Sequence, residues 1–414
     1  MIRILPSRQA SRLLKRRAAR LTEAEEIVRP ILAAVRDRGD KALVEFAQKY
    51  DGLDRKSVRV PERDLAAAKA ALPRELRGAV RTASKNIRAF AESQLPPQKL
   101  AEIQPGLCLG QVVRPLDAVA AYIPSGRYPL PSTLMMTVIP AQVAGVPRIS
   151  VASPRPVEAI YGIASLLGVS DVFRMGGAHA IAAFAYGTRT VPKVDRIVGP
   201  GNIYVAAAKK ILAGEVGIDF IAGPTEILII ASEGDPKVIA ADMLAQAEHD
   251  VDAAAILLTT SAKLAQAVAR EVERQLEMLP TAPVAAKAIA KNSAILLVDS
   301  LEQAVELSNQ FAPEHLSIPD MALLRRVRHA GSVFVGPHSP EAAGDYASGP
   351  NHVLPTSGAA RLRGGLSAAD FVKVISVQKL SASALAKLVP AITTLARIEG
   401  LEAHARSVEA RFDA

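Results

Sequence analysis

Four clusters of polar side chains in this sequence combine residue types that bind metals or move protons. In the first, AQAEHD, Gln246 and His249 stand three residues apart. On the helix predicted from about Lys237, that spacing places both side chains on one face, where an amide oxygen and an imidazole can chelate a divalent metal. A solvated helix face carries the same pair without any function, so this cluster alone leaves both interpretations open.

The second cluster, APEHL, places Glu314 directly before His315 at the predicted end of a helix. A carboxylate and an imidazole side by side can supply two proton-transfer groups to one site. A surface loop can contain the same letters, so the pair needs support from the rest of the chain.

The third and fourth clusters lie in the last 80 residues of the chain. Asp345 and His352 occur in SPEAAGDYASGPNHVLP, whose glycines and prolines predict an irregular functional loop rather than a helix or strand. In EGLEAH, Glu399 and His404 would diverge on a continuous helix, but a helix break at Gly400 can direct both to one point.

Together the clusters offer Gln, His, Asp and Glu side chains without a thiolate. This joint presence favours a mononuclear metal site over four unrelated surface features. Nitrogen and oxygen ligands suit zinc, and manganese or cobalt can occupy the same set.

Two series of alternating strands and helices must position these clusters. Strand follows helix at a period near 22 residues, which predicts right-handed βαβ units, parallel sheets and two doubly wound lobes with a ligand cleft between them. The predicted strands of the first series are 119–124, 148–153, 171–175 and 195–198, and those of the second are 226–232, 253–261, 293–300 and 332–336. Residues 1–100 and the chain after about 366 are predicted to be helical.

Three strand-to-helix turns of the first series are rich in glycine: YIPSGRYP, MGGAH and VGPGN. Each places backbone amides at a helix N-terminus, where a pyrophosphate can bind. No intact GxGxxG motif is present, and tight packing alone also explains the glycines.

Composition excludes several classes of protein. The net charge of +9 comes from basic residues spread along the chain. The one dense basic run, Arg12 to Arg20, is followed by three glutamates and contains no aromatic residues that could stack on bases. Nucleic-acid binding is therefore not expected. The single cysteine excludes an intrachain disulfide. With neither a signal peptide nor a membrane-spanning run expected, we predict a soluble, cytoplasmic protein.

The motifs GPGNIYVAAAKK, IDFIAGPTEILIIAS, AQAEHD, APEHL and GDYASGPNHVLPT resemble those of the histidinol dehydrogenase family over essentially the whole chain. The resemblance implies an α/β fold of two incomplete Rossmann-like doubly wound lobes with helical N- and C-terminal extensions. It also implies a homodimer in which the C-terminal residues of one subunit complete the active site of the other.

The resemblance gives four expected segments. Residues 1–20 form an N-terminal helical arm, and residues 21–120 with 225–366 form the first lobe, which carries the metal site. Residues 121–224 form the second, NAD-binding lobe, and residues 367–414 form a helical tail for dimerisation and completion of the site.

The resemblance also implies a role for each site residue. One zinc ion per subunit would be held by Gln246, His249, Asp345 and His404, the last from the partner chain. The proton-transfer pair would be Glu314 and His315. The substrate would contact the four zinc ligands together with His315, Thr225, His352 and Glu399, and NAD would contact Tyr122, His179 and Asn202.

The implied reaction is the oxidation of histidinol through histidinal to histidine, with two NAD⁺ reduced. The chain departs from the family's usual motifs at Ser125, His179 and Thr225. The change at His179 is the largest and puts the strength of NAD binding in question, whereas Thr225 keeps the hydroxyl group. Two alternatives are a related zinc and NAD dehydrogenase acting on another hydroxylated substrate, such as a sulfonated diol, and a catalytically idle binding protein.

Overall fold

The computed structural model describes residues 2–10, 21–125, 129–221 and 223–412. The chain divides into two compact units, of which the larger comprises residues 1–94 and 116–371 and the smaller residues 95–115 and 372–414. The larger unit contains two parallel sheets covered by helices, which confirms the predicted α/β class.

The six-stranded sheet of the larger unit has the order β1-β11-β10-β9-β12-β13, and all of its strands are parallel. Its strands are β1 Arg3–Pro6, β9 Glu226–Ile230, β10 Ala254–Thr259, β11 Ala294–Leu297, β12 His315–Ile318 and β13 Ser332–Val335. The five strands from β9 to β13, numbered 1 to 5 along the chain, have the order 3-2-1-4-5, which is the Rossmann order without its sixth strand. Strand β1 adds one strand at an edge.

Both faces of this sheet are apolar, as a parallel sheet between two helix layers requires. Because side chains alternate along a strand, Ile227, Ile229 and Leu257 pack on one side and Leu228 and Ile230 on the other. The helices on the first side are α9 Pro236–Ala247, α10 Ala262–Leu276 and α11 Ala282–Asn292; those on the second are α12 Leu301–Phe311 and the short α13 Met321–Leu324.

The five-stranded sheet repeats the 3-2-1-4-5 order as β6-β5-β4-β7-β8, again with parallel strands. Its strands are β4 Ala118–Tyr122, β5 Arg148–Ser153, β6 Asp171–Arg174, β7 Arg196–Val198 and β8 Gly217–Ile218. The connecting helices are α5 Pro131–Val143, α6 Glu158–Leu166, α7 Gly177–Tyr186 and α8 Ile203–Leu212. This sheet forms the second lobe.

Four N-terminal helices pack against the second lobe, whereas the sequence assigned residues 21–120 to the first. They are α1 Leu21–Arg38, α2 Asp40–Asp51, α3 Glu62–Ala71 and α4 Arg74–Ser93. The apolar stripe of α1, which includes Val28 and Leu32, shares a core with Ala120, Phe173 and Ile197 of the five-stranded sheet. Helical periodicity predicted the stripe but not the surface that it covers.

The smaller unit contains an antiparallel sheet that the sequence analysis did not predict. Its strands are β2 Lys99–Gln104, β3 Leu107–Pro115 and β14 Val372–Leu380, with β3 in the centre. The expectation of an all-helical tail after residue 366 is therefore wrong, because the β-branched run VKVISV pairs along its whole length with β3. Two helices follow, α15 Ala382–Ile398 and α16 Glu402–Glu409.

The predicted N-terminal helical arm is also corrected in part, since Arg3–Pro6 forms strand β1 beside β11. The basic run from Arg12 to Arg20 lies outside the described residues. None of the helices within the described ranges combines the length and apolar character that a membrane span requires.

Candidate active site

The predicted proton-transfer pair, Glu314 and His315, lies at the amino end of one strand of the six-stranded sheet, beside the amino end of a neighbouring strand. Thr225 directly precedes β9, and Glu314 directly precedes β12, whose first residue is His315. These strands pair in parallel, so the segments that precede them lie side by side. The carboxyl ends of the strands, where doubly wound folds usually bind ligands, do not hold this pair.

Glu314 is buried, with 6% of its surface exposed. Its Oε2 accepts hydrogen bonds from the Thr225 hydroxyl at 2.5 Å and from the Glu226 backbone amide at 2.9 Å. Burial raises the pKa of Glu314, although the His315 charge and these two donors oppose the shift. The surface-loop interpretation of APEHL is therefore wrong.

A backbone carbonyl fixes Nδ1 of the His315 ring, and Nε2 faces into the site. Its Nδ1 lies 3.2 Å from the Glu226 carbonyl oxygen, and its ring stacks on Phe334 with centroids 5.9 Å apart. An Nδ1–H that donates to this carbonyl leaves Nε2 as an acceptor. Among the described residues Nε2 has no hydrogen-bond partner, and Asp345 Oδ1 lies 3.6 Å from it.

Three side chains beside His315 can hold a divalent cation. One ligand atom each of His249, Glu341 and Asp345 lies within 4.8 Å of the others. Asp345 belongs to helix α14, Glu341–Tyr346, so the predicted irregular loop is wrong at Asp345. It is confirmed around His352, where residues 347–358 form no helix or strand. Glu341 is a site residue that the sequence analysis missed; its position four residues before Asp345, on the same face of a helix, is the signal that could have revealed it.

Gln246 adjoins this cluster near the end of helix α9, and His249 follows just beyond that end. One orientation of the Gln246 amide donates to Thr225 Oγ1 at 2.7 Å and turns its oxygen toward Glu341. The reversed amide donates to the Glu341 carboxylate at 2.9 and 3.1 Å. In the first orientation the amide oxygen faces both carboxylate oxygens of Glu341 and also lies 3.1 Å from Nδ1 of His315. A cation stabilises such a group of acceptor oxygens.

The electrostatics of the cluster also suit a cation. Burial lowers the pKa of His249, which favours the neutral imidazole that binds metals. Burial raises the pKa of Glu341 to about 8. Although burial lowers the pKa of His315, the carboxylates of Glu341, Glu314 and Asp345 outweigh it and raise the value to about 10; a cation bound among them would oppose this effect.

His352 connects this site with the second lobe. Its Nδ1 lies 2.7 Å from the Asp345 carbonyl oxygen, and its Nε2 lies 3.0 Å from the hydroxyl of Thr133. Thr133 belongs to helix α5, which follows the central strand β4 of the five-stranded sheet. The larger unit therefore brings together Thr225, Gln246, His249, Glu314, His315, Asp345 and His352 of the predicted set.

The remaining predicted residues of the metal and substrate site, Glu399 and His404, belong to the smaller unit. Helix α15 ends at Ile398, Gly400 adopts a left-handed φ of 76°, and α16 begins at Glu402. The predicted break at Gly400 is confirmed, because only glycine adopts this conformation without strain. Glu399 and His404 thus lie on opposite sides of a turn.

Comparisons with known proteins show the family of the chain. The family model for histidinol dehydrogenase matches residues 14–412. The histidinol dehydrogenases of Geobacillus kaustophilus and a Synechococcus strain are each 48% identical to this chain, over 94% of the chain and 94% and 92% of their own lengths. The crystal structure of histidinol dehydrogenase from Elizabethkingia anophelis superposes with a TM-score of 0.95 at 36% identity, covering 99% of this chain and 98% of that one. The chain belongs to the histidinol dehydrogenase family.

The three positions assigned to NAD lie at the carboxyl ends of the five-stranded sheet. Tyr122 ends β4, His179 follows β6 in the first turn of α7, and Asn202 caps α8 after β7. Their role in this histidinol dehydrogenase homologue stays a prediction, but their location agrees with the usual ligand edge of such sheets.

His179 is buried, although the resemblance implies that it contacts NAD. It is 1% exposed, and its Nε2 lies 2.7 Å from Asp51 Oδ2. The same Asp51 oxygen accepts a hydrogen bond from the Gly176 amide at 2.8 Å. Asp51, which no sequence motif indicated, thus fixes the glycine turn that precedes α7.

A buried ion pair fixes the GPGN turn of the same lobe. Lys209 Nζ donates to Asp219 Oδ1 at 2.7 Å and to the Gly199 carbonyl at 2.6 Å, while the Gly199 amide donates to Asp219 Oδ2 at 2.7 Å. The two side chains are 3% and 0% exposed. This pair therefore satisfies both backbone groups of Gly199.

We expect Asp219→Asn to lower the free energy of unfolding by about 3–5 kcal/mol, because it leaves the Lys209 ammonium buried without a counter-charge. Urea denaturation followed by circular dichroism measures the loss. The matched control is Asp252→Asn, which breaks the exposed pair with Lys291 and should cost less than about 1 kcal/mol. Equal losses in the two variants would contradict the structural role of the buried pair.

Proposed function

We propose that this chain oxidises histidinol through histidinal to histidine, with NAD as the hydride acceptor and one zinc ion in each active site. The observation that carries the proposal is His315 Nε2, which has no hydrogen-bond partner among the described residues and lies 3.6 Å from Asp345, one of three side chains able to bind a cation. Glu314 lies 3.7 Å from the other nitrogen of the same ring. Family membership supports NAD-dependent oxidation of histidinol.

Zinc would be held by Gln246, His249 and Asp345 of one subunit and by His404 of its partner. The convergence of His249 and Asp345, with the Gln246 amide at the edge of their cluster, supports the first three assignments. When bound, zinc supplies positive charge that orients the amino and imidazole nitrogens of the substrate. The position of Glu341 in the same cluster suits a contact with either the cation or the substrate's amino group.

In the first oxidation His315 accepts the proton of the substrate hydroxyl at Nε2 while hydride leaves the carbon for NAD⁺. The Glu226 carbonyl holds Nδ1, so the accepting nitrogen is fixed in direction. The stack on Phe334 restricts rotation of the ring.

In the second oxidation Glu314 would accept a proton from the water that adds to the aldehyde, which gives the anion of the hydrate. This anion would transfer its hydride to the second NAD⁺ and so become the carboxyl group of histidine. The Thr225 hydroxyl and the Glu226 amide hold one carboxylate oxygen of Glu314. Because Glu314 is buried, its carboxylate is shielded from bulk water.

His352 and Glu399 would contact the substrate, and a carboxylate suits a cationic substrate better than an anionic one. This charge and the family match argue against a sulfonated diol as substrate. The direct test is to supply metal-loaded protein with histidinol and to measure NADH and histidine together. We expect about two NADH for each histidine, since four electrons leave in two hydride transfers; NADH without histidine would contradict the proposal.

The proposal includes a homodimer, in which each active site is completed by the partner subunit. It also places the protein in the cytoplasm. The smaller unit carries Glu399 and His404 and exposes apolar side chains that a monomer would leave in water: Leu395 is 61% exposed and Ile398 78%. Clustered apolar exposure of this kind supports a protein interface.

We expect inactive His404→Ala and inactive His249→Ala subunits to restore activity when mixed. A mixed dimer carries both changes in one site and neither in the other, so random exchange at equal input should recover about a quarter of wild-type activity. The measurement is NADH production after subunit exchange, verified by mass spectrometry. Exchange without recovery would mean that His404 acts in its own subunit or does not bind zinc.

A further inference from the structure

Helix α5 contains a proline in its interior, which leaves one buried carbonyl without its usual partner. In an α-helix each carbonyl accepts a hydrogen bond from the amide four residues later. The residue four positions after Met136 is Pro140, which has no amide hydrogen and whose ring crowds that carbonyl. Met136 is fully buried, so another group of the protein must satisfy its carbonyl oxygen.

That group is the side chain of Asn351, which directly precedes His352. Its Nδ2 donates to the Met136 carbonyl oxygen at 2.6 Å, although 215 residues separate the two along the chain. Its Oδ1 accepts a hydrogen bond from the Val353 backbone amide at 2.9 Å, and the residue is 8% exposed. The Asn351 amide thus joins helix α5 to the backbone on both sides of His352.

The same helix also holds the ring of His352. A carbonyl oxygen can only accept, so the ring nitrogen beside the Asp345 carbonyl carries the hydrogen, and Nε2 accepts from the Thr133 hydroxyl. Thr133 is buried and lies three residues before Met136, on the same face of the helix. One turn of α5 therefore fixes both the backbone and the ring of His352.

We propose that Asn351 and Pro140 are positioning residues for substrate binding. The proline leaves the Met136 carbonyl free for Asn351, and Asn351 uses this anchor to hold His352 in the direction of the substrate. The inference rests on the proposed function, in which His352 contacts histidinol. Because the ring is held before the substrate arrives, binding does not have to order it.

Isothermal titration of zinc-loaded protein with histidinol, in the absence of NAD, measures the effect on substrate binding. We expect Asn351→Ala to raise the Kd about 3- to 10-fold, the equivalent of one hydrogen bond. Pro140→Ala gives residue 140 an amide hydrogen that competes with Asn351 for the Met136 carbonyl, so it should raise the Kd about 2- to 3-fold. The double variant should match Asn351→Ala, since both changes act through one contact.

Two further measurements separate positioning from a general loss of structure. The kcat at saturating histidinol should change less than about twofold in both variants, because the contact is the same in the ground state and the transition state. Pro30→Ala makes the same chemical change in the interior of helix α1, at an exposed position, and should leave the Kd at its wild-type value.

Thermal unfolding of the unliganded protein tests the anchor without any substrate. Asn351→Ala should lower the Tm by about 2–4 °C, because it leaves the buried Met136 carbonyl unpaired. In a Pro140→Ala background the fall should be at most about half as large, because the amide of residue 140 then pairs with that carbonyl.

An unchanged Kd for histidinol in Asn351→Ala and Pro140→Ala would overturn the positioning role, as would effects that multiply in the double variant. Equal falls in Tm in the two backgrounds would show that Asn351 does not act through Met136. Wild-type protein that fails to bind histidinol would contradict the proposed function and the positioning role with it, so the two failures are distinguishable.

Discussion

Replacing His315 with asparagine should slow the oxidation of histidinol by about 10²- to 10⁴-fold, the usual contribution of a positioned general base. Asparagine keeps a polar group of similar size but has no basic nitrogen at the position of Nε2. The counterpart variant, Glu314→Gln, should spare the first hydride transfer and slow the conversion of supplied histidinal to histidine. Single-turnover NADH formation from each substrate separates the two half-reactions.

The exposed residues His338 and Glu233 offer matched controls for this experiment. His338→Asn and Glu233→Gln make the same chemical changes outside the site and should leave both half-reactions at wild-type rates. Equal damage to both half-reactions in both site variants would show that Glu314 and His315 share their roles.

Replacing His249 with alanine should remove most of the bound metal, from about one ion per chain to below about a tenth at equal loading. Among the described residues, this substitution removes the only imidazole of the cluster that His249 forms with Glu341 and Asp345. The fold should survive, because His249 lies outside the buried core and beyond the end of helix α9. Elemental analysis after dialysis measures the metal, and circular dichroism checks the fold.

The control for metal binding is His338→Ala, which removes an exposed imidazole elsewhere and should keep full occupancy. Full occupancy in His249→Ala would exclude His249 as a ligand. The identity of the metal follows from the same analysis of wild-type protein.

Much of the candidate site was predictable because its residues are neighbours in the sequence. Two pairs are close in the sequence: Glu314 with His315, and Gln246 with His249. Local backbone geometry brings each pair together in any fold that keeps the same helices and strands. The alternation of strands and helices likewise predicted both parallel sheets, since each βαβ unit is local and its handedness is fixed by the twist of the strand. The break at Gly400 followed from the conformational freedom of one residue.

Other features depend on contacts between distant segments, which no local pattern contains. The pairing of Val372–Leu380 with Leu107–Pro115 joins segments more than 250 residues apart, so a β-rich run was taken for part of a helical tail. The contact of Asp51 with His179 has the same origin, because 128 residues separate the two side chains.

The amino acid sequence alone determined which residues are able to bind a cation and move protons, since residue type and near spacing decide that chemistry. Only the tertiary structure decided which edge of the sheet they occupy and which further residues join them. The parallel pairing of β9 with β12 places Thr225 against Glu314, and helix α14 adds Glu341 to the cluster. An apolar stripe or a strand can pack against several different surfaces. The surface that it contacts in the native state is the one that minimises the free energy of the whole chain rather than of any one segment.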